Sequence, residues 1–373
     1  MTLSFIAIDR YVRAKQIALA RDIAMRRKVF LDTRFWIIAR NVVQDEGASA
    51  EERQLLHLLR SGVANGQLIC PVSDSIIIEV LDQTPSTTRR TATARVIDEL
   101  SLGVSLVEGE MRAATEIAHF FHLALGEHQL SELQELVWTK VGHALGYRHP
   151  VVEGLDAASE LLMQQEVFDL QWDMSLADIV EKVGIEPLPR KDRDEFERDA
   201  ANVDEQNRAH QSAMKSYQQT YRDEIAGAAD IRCDLAAGVI ADQTQRAGHQ
   251  PPTKGSPEWA AAARWCRNLL VAAFDKPDTK CHLMNMHIHA SMHAALRWNR
   301  GTKFKANHML DFEHASGALA YCDAFFTEGF MAKIANDHHT KLSDLNGCQT
   351  TSSVSEAIAI LHSLAKPTDS KSG

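Results

Sequence analysis

Two short apolar runs that end at acidic residues, one near each end of the chain, constrain the fold most strongly. "VFLD" ends at Asp32, and "AFFTE" ends at Glu328. Apolar runs of this length are typical of buried strands, and the strands of parallel sheets are apolar on both faces. Because helical patterns lead into both runs, we expect the first and last parts of the chain to share one parallel sheet.

The segments around these runs alternate between helical and strand patterns. Near the start, they predict a helix over 9–27, the strand ending at Asp32, a helix over 50–64, a strand at "QLICPVS" and a helix that Ser73 caps. Near the end, they predict a helix that begins at Asp311, the strand ending at Glu328, a strand near "NGCQT" and a helix from Ser353, which has capping-box spacing to Glu356. This alternation is typical of the α/β class.

Residues 86–299 are predicted to be mainly helical. Apolar residues recur at helical spacing in "EMRAATEIAHFFHLAL" and "LSELQELVWTKV", and the best strand candidate is "VSLV". The charged segment 190–225 is poor in large apolar residues, so we expect a long exposed helix there. We therefore predict a discontinuous α/β core over 1–85 and 300–373, with a mainly α-helical insertion over 86–299.

Composition excludes several classes of function. The 40 Lys and Arg residues against 50 Asp and Glu residues leave a net charge of -10, so any contact with nucleic acid must be local. The six cysteines form no CxxC pair, which argues against a disulfide framework and a thiolate zinc site. The chain has no signal-peptide pattern and no apolar stretch of membrane-spanning length, so we expect a cytoplasmic protein without a membrane partner. No P-loop, GxGxxG or GxSxG motif occurs.

Four acidic residues are predicted to meet at one edge of the sheet. Asp32 and Glu328 end strands, Asp311 begins the helix before the second of these strands, and Glu79 lies about two turns into its own helix. The carboxyl ends of parallel strands gather at one edge, where ligands bind in α/β folds. Because close carboxylates repel one another, they stay ionised only beside a cation, and oxygen ligands favour Mg²⁺ or Mn²⁺.

The motifs that carry these acids resemble those of a known family. "VFLDT", "PVSDSIIIEV" and "LDFEHASGALAYCDAFFTE" resemble the acidic motifs of PIN-like domains, which are metal-dependent ribonucleases. The resemblance covers residues 28–82 and 303–365. It implies a three-layer α/β/α fold with a small parallel sheet, Mg²⁺ or Mn²⁺ as cofactor, and endoribonuclease activity on RNA or another single-stranded nucleic acid.

The resemblance also implies the metal ligands. They are Asp32, Glu79 and Asp311, with Glu328 in the place where the family usually has Asp. This departure leaves open whether the site binds one metal ion or two. Asp323 is the alternative for the fourth acid, but it lies at the start of its strand, on the opposite edge, where we predict a turn residue.

Several neighbouring residues have two open interpretations. Thr33 and Thr327 are predicted either to hold a ligand or water through their hydroxyls or to be ordinary strand-end residues. His314, one helical turn after Asp311, either orients a carboxylate or contacts a phosphate, or it is a surface or core histidine. Arg34 either contacts phosphate or pairs with an acid.

The segment "RWNRGTKFK", residues 297–305, is a candidate for substrate binding. It combines the basic residues Arg297, Arg300, Lys303 and Lys305 with the aromatic residues Trp298 and Phe304. Basic charge interleaved with aromatic rings suits a phosphate backbone and stacked single-stranded bases. The alternative is a solvated loop between two helices.

Two other functions compete with the nuclease hypothesis. In the first, the chain is a catalytically weak PIN-like module that binds a protein partner or regulates it through the helical insertion. In the second, it is a zinc hydrolase that uses His287, His289 and His293. His289 and His293 have the i, i+4 spacing of zinc ligands, but the segment lacks the Glu of the HExxH motif.

Overall fold

The computed structural model describes residues 3–82, 86–126, 131–182, 193–209, 214–299 and 303–365. The described chain is mostly helical, with a four-stranded parallel sheet and a two-stranded antiparallel sheet. No helix in these ranges is both long enough and apolar enough to cross a membrane.

The first part of the chain alternates helices with two strands of the parallel sheet. Its elements are α1 (Leu3–Asp22), β1 (Arg27–Leu31), α2 (Thr33–Val43), α3 (Ala50–Ala64), β2 (Leu68–Ile69) and α4 (Asp74–Asp82). The predicted helix over 50–64 is confirmed at both ends. The helix predicted over 9–27 ends instead at Asp22, because Arg27 already belongs to β1 and pairs with β2.

The middle of the chain is helical except for one small sheet. Its elements are α5 (Thr87–Ser101), β3 (Val104–Leu106), α6 (Gly109–Ala124), β4 (Trp138–Lys140), α7 (Ala157–Trp172), α8 (Leu176–Lys182), α9 (Arg193–Ala209), α10 (Tyr217–Arg246), α11 (Pro257–Ala273) and α12 (Met284–Trp298). The strand predicted at "VSLV" is confirmed as β3. Residues 190–192 and 210–213 of the long exposed helix predicted over 190–225 lie outside the described residues. The rest of this range forms α9 and the start of α10, where Thr220 and Ile225 are buried.

The helix predicted over "LSELQELVWTKV" was wrong. A short 3-10 turn at Leu133–Glu135 is followed by β4, which pairs antiparallel with β3. Trp138 lies opposite Leu106 in this pairing, and both side chains are buried. The tertiary contact with β3 therefore overrides the helical spacing of the apolar residues.

The last part of the chain completes the parallel sheet. Its elements are α13 (Ala306–Tyr321), β5 (Ala324–Phe326), α14 (Gly329–Ala335), α15 (Leu342–Leu345), β6 (Gln349–Thr351) and α16 (Val354–Leu364). Ser353 caps α16 by accepting a hydrogen bond from the Glu356 amide. The Glu356 carboxylate accepts a hydrogen bond from the Thr351 hydroxyl.

The parallel sheet has the order β2-β1-β5-β6, so its two central strands come from opposite ends of the chain. The predicted sharing of one parallel sheet by these two parts is confirmed. Leu31 lies opposite Phe326, and the Asp32 amide donates a hydrogen bond to the Phe326 carbonyl at 2.9 Å. The carboxyl ends of β1 and β5 therefore lie side by side.

Helices cover both faces of this sheet. The Phe30 ring contacts Phe325 at 5.8 Å and His314 of α13 at 6.3 Å between ring centroids. The Phe326 ring contacts Phe35 of α2 at 5.6 Å. Because successive side chains of a strand point to opposite faces, α13 and α2 lie on opposite sides of β5.

One hydrophobic core joins the sheet to part of the middle region. Phe30, Phe325 and Phe326 are fully buried, and full burial of a Phe side chain contributes about 1.5 to 3 kcal/mol. The same cluster contains Trp138 and Met292, which lie between residues 86 and 299. The division into a core and an insertion stays a prediction.

Candidate functional site

Asp32 lies at the carboxyl end of β1 and is the N-cap of α2. Its carboxylate accepts hydrogen bonds from the Phe35 amide at 3.3 Å and from the Thr327 hydroxyl. The side chain is 4% exposed, and burial raises its pKa to about 6 despite these two hydrogen bonds. The charge of Glu328 raises the pKa further, whereas Arg34 lowers it.

Glu328 lies one residue beyond Thr327 and is the N-cap of α14. It is exposed, and its side chain makes no hydrogen bond to the start of the helix. Its negative charge raises the pKa values of Asp32, Glu79 and Asp311. Glu328 therefore belongs to the same electrostatic cluster as the three more buried acids.

Glu79 lies on α4, which follows β2 after a short loop. Ser73 caps this helix by accepting a hydrogen bond from the Ile76 amide at 3.4 Å, as predicted. The Thr33 hydroxyl donates a hydrogen bond to the Glu79 carboxylate. Burial raises the pKa of Glu79 to about 6, and the charges of Asp32 and Glu328 add to this increase.

The pKa of Asp311 is higher than those of Asp32 and Glu79. Burial raises it to about 7, and the charges of Glu328, Glu79 and Asp32 each contribute. The prediction that Asp311 begins its helix was wrong, because α13 begins at Ala306. Asp311 lies in the second turn, and its charge still interacts with those of the other three acids.

The structure thus brings together the charges of all four predicted acids. They come from four places in the chain: the end of β1, the middle of α4, the second turn of α13 and the start of α14. An all-carboxylate set with this repulsion fits a hard divalent cation such as Mg²⁺ or Mn²⁺. Within the described ranges, no three His, Cys, Asp or Glu residues are already arranged to hold a metal ion.

Three other residues that we predicted to support the site lie around this cluster. Thr33 and Thr327 each donate a hydroxyl hydrogen bond to one of the acids, Glu79 and Asp32 respectively. Arg34 is exposed, donates to the Ser352 carbonyl at 2.9 Å and lowers the pKa of Asp32. These residues orient or partly neutralise the carboxylates.

Asp323 lies at the opposite edge of the sheet, before β5. Its carboxylate accepts hydrogen bonds from Arg27 Nη1 and from the Lys28 amide, both at 2.8 Å. These contacts join the start of β1 to the start of β5. They are consistent with the turn role predicted for Asp323.

His314 does not reach the acidic cluster as a donor. It is 2% exposed and packs against Phe30 in the core. Its Nε2 atom is buried and has no hydrogen-bond partner among the described residues. Burial lowers the pKa of His314 to about 4, so the ring is neutral at pH 7.

The predicted substrate segment 297–305 is only partly available. The Arg297 guanidinium pairs with Glu224 of α10. Phe304 is 6% exposed and packs between His293 and Phe312, so its ring is covered by the protein in this structure. The aromatic side chains of α12 and α13 cover the Phe304 ring and shield it from solvent.

The other members of this segment have different positions. Trp298 is partly buried, and its ring centroid lies 6.5 Å from that of His339 in an edge-to-face arrangement. Lys303 and Lys305 are exposed just before α13. Arg300 lies outside the described residues. The two lysines are therefore the accessible basic groups of this segment within the described chain.

The three histidines of the zinc hypothesis have separate surroundings on α12. His287 Nδ1 forms a hydrogen bond with the Tyr221 hydroxyl at 2.8 Å. His289 Nε2 lies 3.5 Å from Glu313 Oε1, and His293 stacks on Phe304. Residues two apart on a helix point in nearly opposite directions, which separates His287 from His289.

The sequence patterns did not predict a buried polar network that joins α6, α12 and α13. The Glu116 carboxylate accepts hydrogen bonds from the Tyr321 hydroxyl at 2.5 Å and the Asn285 amide at 2.8 Å. Arg112 is 1% exposed and donates to the Val107 carbonyl at 3.0 Å. The i, i+4 pair of Arg112 and Glu116 inside an apolar stripe was the available signal.

Comparisons of the chain with protein-family models, with curated proteins and with solved structures found no match.

Proposed function

We propose that the chain is a Mg²⁺- or Mn²⁺-dependent nuclease that hydrolyses phosphodiester bonds, with RNA as its substrate. One observation carries the proposal: Asp32, Glu79, Asp311 and Glu328 come from four separate elements, and their charges meet at the carboxyl edge of a parallel sheet. Three of these acids have raised pKa values. Such clusters occur where a fold prepares a cation site or an acid-base site.

The PIN-like resemblance supports the same function. The parallel sheet has helices on both faces, and the acids lie at its carboxyl edge, in the order along the chain that the PIN-like motifs imply. We therefore propose a three-layer α/β/α core of the PIN-like type. The choice of RNA comes from this resemblance and is an analogy rather than a property of the site.

The surroundings of each residue indicate its proposed role in the site. Asp32, Glu79, Asp311 and Glu328 would hold the cation, which when bound supplies Lewis-acid stabilisation of the phosphate and lowers the pKa of the attacking water. Thr327 and Thr33 orient Asp32 and Glu79 through their hydroxyl hydrogen bonds. Glu328 is exposed, and its side chain makes no hydrogen bond to the start of α14. Its carboxylate can therefore move toward the other acids.

A second candidate function is a catalytically weak binding or regulatory module. The observation that favours it is that, among the described residues, no three His, Cys, Asp or Glu side chains are already arranged to hold a metal ion. In that case the helical middle region would contact a protein partner. This candidate predicts weak or absent binding of Mg²⁺ and Mn²⁺ and no cleavage.

Cleavage of labelled single-stranded RNA and DNA of the same sequence tests the proposal. We expect RNA cleavage with Mn²⁺ or Mg²⁺ and none with EDTA. Asp32→Asn and Asp311→Asn should each lose more than the roughly 10- to 100-fold typical of outer-shell residues at metal sites. Asn is also a good N-cap, so Asp32→Asn should preserve the start of α2.

Asp323→Asn provides the matched control, because it makes the same chemical change at the opposite edge of the sheet. It should retain activity. Cleavage that continues in EDTA, or full activity in both site variants, would rule out the proposal. Folding of every variant would be checked by circular dichroism.

A further inference from the structure

Phe330 and His308 form a ring stack between α14 and α13. The ring centroids lie 4.2 Å apart, and the ring planes differ by 14°. His308 lies three residues before Asp311 on α13, and Phe330 lies two residues after Glu328, the N-cap of α14. The stack therefore connects the two helix starts that carry two of the four acids.

The His308 ring is held in place on α13. It is 7% exposed, and its Nδ1 atom accepts a hydrogen bond from the Lys305 amide at 3.2 Å. Phe304 contacts the ring edge to face, with 5.6 Å between the centroids. These contacts give Phe330 a rigid surface to stack against.

Phe330 belongs to the turn of α14 that carries Glu328. The Ala332 amide donates a hydrogen bond to the Glu328 carbonyl at 3.0 Å, which is the first bond of this helix. The main chain of Glu328 therefore moves with the turn that contains Phe330. Because the Glu328 side chain makes no hydrogen bond to the start of the helix, the position of its carboxylate depends on this main chain.

Glu328 and Asp311 repel each other in the metal-free chain. Burial raises the pKa of Asp311, and Glu328 makes the largest of the three acidic contributions that add to this increase. Like charges move apart unless other contacts keep them together. An aromatic pair combines apolar burial with a preferred geometry, so the stack opposes this separation.

We propose that Phe330 is a positioning residue, which through its stack on His308 holds Glu328 close enough to Asp311 for both carboxylates to bind one cation. This inference rests on the proposed cation site. The hydrocarbon side chain of Phe330 supplies no ligand atom, so it acts through Glu328. Loss of the Phe330 ring should therefore lower Mn²⁺ affinity only while Glu328 is present.

Mn²⁺ titration calorimetry of single and double variants tests this dependence. Phe330→Ala should weaken Mn²⁺ binding by about 10-fold, as the loss of an outer-shell partner does at other metal sites. Glu328→Gln should weaken it by at least about as much. Phe330→Ala added to Glu328→Gln should change the affinity by less than about 2-fold further. Phe330→Tyr keeps the ring and should bind as the unmodified chain does.

Phe274→Ala separates positioning from a general loss of packing. Phe274 is partly buried, as Phe330 is, but it packs against a different hydrophobic cluster, which includes Ile117 and Leu270 and contains none of the four acids. This variant should lower the urea midpoint and leave Mn²⁺ affinity unchanged. If Phe330→Ala does not fold, Phe330→Leu takes its place, because Leu fills much of the space without a flat ring.

The outcomes distinguish this inference from the proposed function. Absence of Mn²⁺ binding by the unmodified chain would overturn both. Mn²⁺ binding by the unmodified chain with equal affinity in folded Phe330→Ala would overturn the positioning role alone. The same would follow if the loss caused by Phe330→Ala were equal with and without Glu328, or if Phe274→Ala weakened binding as much.

Discussion

The Thr33 hydroxyl donates a hydrogen bond to the Glu79 carboxylate, which joins the first residue of α2 to the middle of α4. Thr33 directly follows Asp32, so one short segment both supplies an acid and orients another. The corresponding contact at β5 is the hydrogen bond from Thr327 to Asp32. Threonines just beyond the ends of the adjacent strands β1 and β5 thus hold two acids of the cluster through their hydroxyls.

Removing the Thr33 hydroxyl should lower both the free energy of unfolding and the affinity of the site for Mn²⁺. Thr33→Val leaves a buried carboxylate without its donor, and loss of a hydrogen bond to a charged group costs about 1.5 to 3 kcal/mol. We also expect Mn²⁺ affinity to fall by about 10-fold. Urea unfolding and Mn²⁺ calorimetry measure the two effects. Thr33→Ser keeps the hydroxyl and should be close to the unmodified chain. A loss in Thr33→Ser with none in Thr33→Val would show that the methyl group matters instead.

The pH dependence of stability should change when Asp311 is neutralised. The pKa of Asp311 is raised by burial from 3.8 to about 7 in the folded chain, so between these values the folded state holds a proton that the unfolded state has lost. Asp311 therefore destabilises the metal-free fold as the pH rises through this window. Asp311→Asn removes this effect, because its amide does not titrate.

Urea unfolding in EDTA at pH 5 and pH 8 measures the difference between Asp311→Asn and the unmodified chain. The free energy of unfolding of the variant, relative to the unmodified chain, should increase by about 1 to 2 kcal/mol from pH 5 to pH 8. A difference that is the same at both pH values would contradict the burial and repulsion assigned to Asp311.

Asp323 should matter for stability but not for chemistry. Asp323→Asn removes the ion pair with Arg27, whose side chain is 38% exposed, while the amide oxygen can still accept from the Lys28 amide. We expect a loss of about 1 kcal/mol or less in unfolding free energy and no change in RNA cleavage. Loss of cleavage by this variant with unchanged stability would show that Asp323 takes part in cleavage.

The packing of the turn after β4 against α7 predicts a large effect at Gly142. A Cβ atom there would lie 1.9 Å from the Gln171 carbonyl oxygen, so Gly142→Ala forces the backbones apart and should cost about 3 kcal/mol or more. Gly227→Ala is the control, since a Cβ on this α10 residue meets nothing within 4 Å. It should stabilise the helix by about 0.5 to 1 kcal/mol. Similar thermal unfolding midpoints for both variants would contradict this packing.

The strands of the parallel sheet were predictable because their signals are local. The buried parts of β1 and β5, residues 29–31 and 324–326, are apolar on both faces, which fits central strands of a parallel sheet. The helix over 50–64 has an apolar face between polar ends, and both ends were predicted. Local pattern and tertiary structure agree at these positions, so the sequence is sufficient.

Features that depend on contacts distant in sequence were not predictable. β4 has the apolar spacing of a helix and becomes a strand only because it pairs with β3. Arg297 pairs with Glu224 across α10 and α12. The burial of Phe304 similarly depends on how α12 packs against α13. These pairings join residues that are far apart in the sequence, so no local sequence pattern indicates them.

Mn²⁺ titration calorimetry of the unmodified chain, Asp311→Asn and Asp323→Asn tests the central claim most directly. The four acids should bind one or two Mn²⁺ ions and release protons at pH 7, because the raised pKa values of Asp32, Glu79 and Asp311 leave part of the cluster protonated before binding. Asp323→Asn should bind as the unmodified chain does, and Asp311→Asn should lose at least about 10-fold in affinity. No Mn²⁺ binding by the unmodified chain, or equal binding by all three proteins, would contradict a cation site at this edge of the sheet.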